Sequence, residues 1–323
     1  MRKLLAALAC AGLLAGVSGA AHAQSAAWPN KPLHLTVAFA PGGPVDIIAR
    51  IISPKLTEIL GQPMVIENKP GAGGNVGTVY VAKSVPDGYN VLMTSSAYAV
   101  NVSLFSNPGY DPDKDLIPVA VVASQPNMLV VNPSLPVKNL TELVAYAKGK
   151  NLAFATPGSG TTPHLTGENM YNMQLKLGMT AIHYKGAGPA AAAVVGNEPG
   201  FGCMALAAPL PFVKSGRLRA LGVSSAKRLS FLPDVPTLAE QGYPALQDYT
   251  WVGVFVPAGT PAAIVQKLNE AINKAIQASD VKEHLAIQAF EPDGGTPQKF
   301  AEYVKTEVVK WGKVVKETGA KPD

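Results

Sequence analysis

The stretch LHLTVAFAPGGPVDIIARIISPKLTEIL, residues 33–60, indicates the fold class of this chain. Residues 33–39 combine apolar and β-branched side chains and predict a strand. Residues 46–60 carry isoleucine and leucine at the spacing of one helical face and predict a helix. A Pro-Gly-Gly turn at residues 41–43 joins the two elements. A strand, a glycine-rich turn and a helix in this order are typical of α/β proteins.

The same alternation continues along the chain. Further strands are predicted at residues 64–67, 90–94, 129–133, 152–156, 181–184, 201–205, 219–224 and 250–257. Helices are predicted at residues 75–84, 139–148, 163–177, 187–196, 261–277, 281–288 and 297–318. We therefore predict an α/β fold with largely parallel sheets. The chain builds one lobe, crosses to a second and returns, which assigns residues 24–126 plus 248–323 to lobe 1, residues 127–247 to lobe 2, and a hinged cleft between them.

The first residues of the chain predict export. Arg2 and Lys3 precede an apolar run at residues 4–17, and Ala21 and Ala23 are the small side chains that a signal peptidase requires. We therefore predict residues 1–23 as a cleaved signal peptide and the periplasm as the destination. The alternative, an uncleaved membrane helix, needs roughly 20 apolar residues and no cleavage site. After cleavage the only cysteine is Cys203, so no intramolecular disulfide is expected.

Charge and composition narrow the possible partners. The formal net charge is +5, and 47% of the residues are hydrophobic, which is sufficient for the cores of two domains. The basic residues are scattered and are not interleaved with aromatic residues, so no nucleic-acid partner is predicted. A mild positive field suits a small anionic ligand, and it is also compatible with an ordinary solvated surface.

The turn after the first predicted strand, residues 39–46, is the strongest candidate for a binding site and is called the first turn below. Glycines let a backbone approach a ligand closely, and a helix start presents unpaired N–H groups and the positive end of its dipole. This suits a carboxylate, although an ordinary strand–helix connection has the same pattern. Asp46 either caps the helix or meets a cationic group of the ligand. The predicted ligand contacts are Phe39, Ala40, Pro41, Gly42, Gly43, Pro44 and Asp46.

Two further segments repeat this chemistry. The second turn, residues 156–162, combines glycines with hydroxyl groups but lacks the Gly-Lys-Ser/Thr ending of a phosphate loop. Hydroxyl groups at the end of the strand at residues 90–94 can donate to a carboxylate or cap the next helix. His164 lies inside a predicted helix, where a packing role competes with ligand contact. The predicted contacts are Thr156, Gly158, Ser159, Gly160, Thr161 and His164, together with Thr94, Ser95 and Ser96.

The sequence offers little support for catalysis. Ser95 and Ser159 lack the Gly-x-Ser-x-Gly frame of a nucleophile elbow. The histidines are dispersed and show no metal-ligand spacing, either among themselves or with Cys203. We therefore predict that the chain is not an enzyme and binds no metal or cofactor. An exported hydrolase is the less favoured alternative.

Nine ordered blocks carry a resemblance to a known family. They lie at residues 28–32, 39–46, 67–75, 86–89, 164–168, 183–186, 217–221, 232–237 and 257–261. These blocks resemble the Bug family, which comprises extracytoplasmic solute-binding proteins of tripartite tricarboxylate-type transporters and includes the TctC proteins. The resemblance covers nearly the whole chain after the predicted signal peptide.

The resemblance implies a two-lobed Venus-flytrap fold of the type II periplasmic class. It also implies that a small carboxylate is held between the first turn and a facing second turn, often through ordered water. The implied partners are membrane permease subunits of a tripartite tricarboxylate-type transporter, and the binding protein itself is expected to be a monomer. A ligand-sensing subunit of a membrane signalling system needs the same closure and stays open as an alternative.

Two departures from the family bear on the ligand. Val45 stands where the family usually has threonine, which removes one hydroxyl group. Near Gly200 and Met204 the family often has acidic residues, which can meet the ammonium group of an amino acid. Their absence predicts a carboxylate without an ammonium group. With Met204, Phe39 and Tyr98 as walls, the preferred ligand is an aromatic mono- or dicarboxylate, while citrate-like tricarboxylates and nicotinate-like acids stay open.

Overall fold

A computed structural model describes residues 28–322, so the predicted signal peptide lies outside the described residues. The strands of the described part are β1 (Leu33–Val37), β2 (Met64–Asn68), β3 (Asn90–Ser95), β4 (Leu116–Val131), β5 (Ala153–Thr156), β6 (Thr180–His183), β7 (Phe201–Ala205), β8 (Arg219–Val223), β9 (Tyr249–Pro257) and β10 (Glu291–Pro292). They form one sheet in the order β2-β1-β3-β9-β4-β7-β5-β6, with β8 and β10 paired to β4.

The helices agree closely with the predicted periodicity. They are α1 (Pro44–Leu60), α2 (Asn75–Ala82), α3 (Ala97–Leu104), α4 (Leu140–Ala147), α5 (Thr162–Gly167), α6 (Ala187–Val195), α7 (Leu210–Lys214), α8 (Ala262–Gln277), α9 (Ser279–Ile287) and α10 (Pro297–Thr318). A π-helical segment at Glu168–Gln174 continues α5. The short helices α3 and α7 were not predicted, whereas α10 has the predicted bounds.

The prediction of largely parallel sheets is wrong at the centre of the sheet. Strand β1 runs parallel to β2 and β3, and β5 runs parallel to β6 and β7. Strand β4, however, is antiparallel to β7, β8, β9 and β10, and β9 is also antiparallel to β3. Only the last part of β4 was predicted, because Pro118 and Pro126 argue against a strand. Both are tolerated: Pro118 adjoins a register irregularity, and Pro126 ends the pairing with β9.

Strand β4 crosses from one half of the sheet to the other. Residues 116–126 pair with β9, whereas residues 127–131 pair with β7 and β8. One large hydrophobic cluster surrounds β1, β3 and β9, and separate clusters surround the Leu129 and Met128 faces of the second half. The result is a two-lobed α/β architecture joined through β4 and the entry to β9.

Helix α1 begins two residues earlier than predicted. Gly43 is its N-cap and Pro44 occupies the first helical position, where the missing N–H costs nothing. The helix ends at Gly61, whose left-handed conformation lets its N–H donate to the carbonyl of Thr57. Asp46 therefore lies within the first turn of the helix rather than at its start. This position decides what its carboxylate does.

Candidate binding cleft

A small cavity of about 20 Å³ lies between the two lobes, beside the start of α1. It is lined by Phe39, Gly43, Pro44, Val45, Ser95, Pro157, Thr161, Pro163, Ala187, Ala205 and Thr250. The first turn, the end of β3 and the second turn therefore each contribute to the lining. Five of the predicted contacts belong to the lining: Phe39, Gly43, Pro44, Ser95 and Thr161.

Three helix starts border this cavity. Helix α1 contributes Pro44 and Val45, α6 contributes Ala187, and α5 contributes its N-cap Thr161. The first N–H groups of a helix have no partner within that helix, and the N-terminus carries a partial positive charge. Among the described residues that line the cavity there is no charged side chain. An anion in this cavity would therefore meet the positive ends of helix dipoles rather than a cationic side chain.

Asp46 supports the first turn from behind. Its Oδ2 accepts from the N–H of Gly42 at 3.0 Å and from Nε of Arg50 at 3.0 Å. Its Oδ1 accepts from Nη2 of Arg50 at 2.9 Å and from Nδ2 of Asn68 at 3.0 Å, and Asn68 also donates to the carbonyl of Phe39. Burial raises the pKa of Asp46, but the hydrogen bonds from Arg50, Gly42 and Asn68 outweigh it, and the pKa falls below its ordinary value of 3.8. The carboxylate is thus fully engaged with the protein.

The first turn packs against a segment that the site prediction omitted, Lys185 to Gly188. The N–H of Ala40 donates to the carbonyl of Lys185 at 2.9 Å across the cleft. A Cβ atom on Gly188 would lie 2.5 Å from the carbonyl oxygen of Pro41, and one on Gly186 would lie 3.2 Å from the nitrogen of Ala40. The two lobes therefore meet backbone to backbone here. Ala40, Pro41 and Gly42 serve this contact rather than line the cavity.

Most polar groups of the second turn form hydrogen bonds within the protein. The hydroxyl of Thr161 donates to the carbonyl of Gly158 at 2.8 Å, and Thr156 Oγ1 lies 2.9 Å from Nδ1 of His183. Gly158 and Ser159 line a neighbouring cavity of about 160 Å³, which Phe39 also lines. Gly160 approaches the side chain of Asn101 so closely that no side chain fits at this position. This turn provides a wall and an interlobe contact.

His164 is buried among protein groups. Its Nδ1 accepts from the N–H of Gly160 at 3.3 Å, and its ring meets that of His183 edge to face at 4.5 Å between centroids. Burial, and after it the neighbouring His183, lower the pKa of His164 to about 3. The imidazole is therefore neutral at physiological pH, and it is not among the residues that line the cavity.

The remaining predicted contacts lie away from the cavity. Met204 belongs to the buried cluster of the second lobe, and Tyr98 stacks on Tyr110 within the first lobe. Thr94 is buried, and Ser96 bonds to Thr162 at 3.1 Å. The ligand-contact role of these residues stays a prediction.

Several lining residues were missed by the site prediction: Val45, Pro157, Pro163, Ala187, Ala205 and Thr250. Ala187 could have been found, because residues 181–196 repeat the strand, glycine turn and helix pattern of the first turn. Pro157 and Pro163 flank predicted contacts of the second turn. Thr250 and Ala205 had no local signal, since they reach the cavity only through strand pairing with β4.

Two lobes that meet around an uncharged cavity bordered by helix starts are the architecture of a solute-binding protein. The family described as tripartite tricarboxylate transporter family receptor, TctC, matches residues 48–320. The chain belongs to this family, which consists of periplasmic solute-binding receptors. The predictions of the family, of the two-lobed α/β fold and of a protein that is not an enzyme are thereby confirmed.

Known proteins are similar over almost the full length. Protein BugT of Bordetella pertussis (strain Tohama I) is 38% identical over 325 residues, covering 99% of both chains. A solved structure from R. palustris with adipate is 35% identical, with a TM-score of 0.87 over 92% of this chain and 100% of the other. MatC from Rhodopseudomonas palustris, solved with bound malate, is 33% identical, with a TM-score of 0.84 over 89% and 100%. Across residues 28–322, no helix is both long enough and apolar enough to cross a membrane.

Proposed function

We propose that this chain captures a small carboxylate in the periplasm and delivers it to the permease subunits of a tripartite tricarboxylate-type transporter. The observation that carries the proposal is the convergence of α1, α5 and α6 at their N-termini on one cavity without charged side chains. The relatives solved with adipate and with malate support the carboxylate class. The signal peptide at residues 1–23, the monomeric state and the division at residues 126/127 and 247/248 belong to the same proposal.

The finer proposal is an aromatic mono- or dicarboxylate. Apolar side chains dominate the lining, with Phe39, Val45 and Pro163 as walls. Among the described residues that line the cavity none is acidic, and the nearby Asp46 is engaged by Arg50 and Asn68, so an ammonium group would have no counter-charge.

A thermal-shift screen with matched ligands tests both levels of the proposal. Glutarate and glutamate differ by the ammonium group, and terephthalate and adipate are dicarboxylates with aromatic and aliphatic bodies. A ligand at 100 times its Kd adds about 2.7 kcal/mol to stability, which raises Tm measurably. We expect glutarate to stabilise the protein, glutamate to have no effect, and terephthalate to bind more tightly than adipate. Stabilisation by glutamate would contradict the prediction of a ligand without an ammonium group, and stabilisation by none of the four acids would contradict the carboxylate proposal.

The substitution Val45→Thr tests the apolar wall without changing its volume. In the native protein we expect succinate to bind better than malate, because the extra hydroxyl of malate faces apolar side chains. Threonine at position 45 provides a hydrogen-bond partner, and the malate-to-succinate affinity ratio should rise roughly threefold to tenfold. Isothermal titration measures this ratio. The control is Val65→Thr on the exposed face of β2, which should leave it unchanged.

A further inference from the structure

A continuous chain of buried polar side chains connects the two lobes beneath the cavity. Ser96 Oγ lies 3.1 Å from Thr162 Oγ1, which lies 2.7 Å from Thr250 Oγ1. Thr250 Oγ1 bonds to Asn127 Oδ1 at 2.8 Å, and Asn127 Nδ2 bonds to Asp248 Oδ1 at 2.8 Å. All five side chains are buried. We call this chain, Ser96–Thr162–Thr250–Asn127–Asp248, the interlobe relay.

The direction of every hydrogen bond in the relay follows from Asp248. An ionised carboxylate only accepts, so the NH2 group of Asn127 must face it and the amide oxygen must face Thr250. Both carboxylate oxygens accept: Oδ1 accepts from Nδ2 of Asn127, and Oδ2 accepts from the hydroxyl of Thr166. Nδ2 of Asn127 also lies 3.2 Å from Thr166 Oγ1, which agrees with this orientation of the amide.

The hydroxyl groups are then assigned one after another. Thr250 has a single hydroxyl proton and donates it to Asn127, so its oxygen must accept from Thr162. Thr162 has then used its own proton and must accept from Ser96. Ser96 directly precedes α3 in the first lobe, and Thr162 begins α5 in the second lobe. A carboxylate at the hinge thus determines which lobe donates and which accepts where they meet.

We propose that Asp248 is a positioning residue that orients the interlobe relay and thereby stabilises the closed arrangement of the lobes around the ligand. The proposal rests on the proposed binding function, because closure around a ligand is what the relay would serve. Thr250 is the link to the site, since it belongs both to the relay and to the cavity lining. With an amide at position 248, either direction of the relay becomes possible, and the two lobes no longer meet with one defined donor.

Exchange of the Ala40 amide hydrogen reports closure without any ligand. This N–H donates to Lys185 across the cleft, so it exchanges when the lobes separate. In the mature chain, Asp248→Asn and Ser96→Ala should each reduce its protection roughly threefold to tenfold, the effect of one lost hydrogen bond. The double variant should lose no more than the larger single loss, because both substitutions break the same relay. The Kd for adipate, used as the probe, should also rise.

The control is Leu246→Ala, which weakens the core of the second lobe next to Asp248 without removing a relay group. It should lower Tm and leave the protection of Ala40 unchanged.

A lower Tm with unchanged Ala40 exchange in Asp248→Asn, or additive effects in the double variant, would overturn the proposal. If Asp248→Asn does not fold, Thr250→Val decides: it keeps the volume and must reproduce the loss of protection. A chain that binds no carboxylate but shows the coupled exchange would refute the proposed function alone.

Discussion

The first turn and the second turn have the same sequence pattern, yet the structure uses them differently. In the first turn one carboxylate, Asp46, holds the backbone from behind and leaves the start of α1 open to the cavity. In the second turn the hydroxyl of Thr161 bonds within the turn, and His164 is buried below it. The first turn therefore brings the start of α1 to the cavity, whereas the second contributes mainly a wall. The same turn pattern thus leads to two different environments.

The largest expected effect is a pH-dependent loss of stability that arises at His164, next to the second turn, and leaves ligand binding unchanged. His164 has a pKa of about 3 in the native protein against 6.5 ordinarily, so between these values the unfolded chain binds a proton that the native protein does not. Native stability should fall as the pH drops from 6.5 towards 3, by up to about 1.4 kcal/mol per pH unit. Urea unfolding of His164→Asn should show a flatter profile, with ligand affinity at pH 7 unchanged. The control is His284→Asn at an exposed position. If His164→Asn lost ligand affinity, the second turn would contribute to binding as the first turn is expected to do.

The next effect is on ligand affinity, and it tests the contact between the first turn and the segment from Lys185 to Gly188. Gly188→Ala places a Cβ atom 2.5 Å from the carbonyl oxygen of Pro41, and both positions are backbone, so the lobes must separate. Overpacking of about 1–3 kcal/mol predicts that Kd rises roughly tenfold to a hundredfold. Tm without ligand should change little, because the clash lies between the lobes. Gly196→Ala at the end of the same helix is the control, since its nearest contacts are at 3.4 Å or more.

The smallest effect concerns the support behind the first turn. Asp46→Asn removes the charge-assisted hydrogen bonds that hold the first turn, and it should lower the free energy of unfolding by about 1–2 kcal/mol at pH 7. The effect is this small because Arg50 is half-exposed and its ion pair with Asp46 is screened by solvent. Because the pKa of Asp46 is below 3.8, this contribution is present above about pH 4 and is lost as the pH falls through the lowered pKa. The stability difference from the native protein should therefore shrink in acid. Urea unfolding measures this difference, and a difference that stays constant at all pH values would contradict the role of the ionised Asp46.

Much of the fold was accessible from local sequence patterns. The predicted helix at residues 297–318 has the observed bounds, and Asn139 caps α4 by accepting from the N–H of Glu142 at 2.8 Å. The first part of β4 was missed because two prolines obscured it. Phe39, Gly43 and Ser95, which turn chemistry predicted as ligand contacts, line the cavity. Thr250 and Ala205 were not, since nothing in their own segments marks them.

The sequence by itself determined the strands, the helices and the turns that join them, because periodicity, capping and glycine conformation act over a few neighbouring residues. Tertiary structure alone decided which turns face each other, as in the contact between Ala40 and Lys185. It also decided the interlobe relay, whose members Asn127 and Asp248 are 121 positions apart in the chain. Such contacts depend on how two lobes pack, and packing is a sum over residues that share no local pattern.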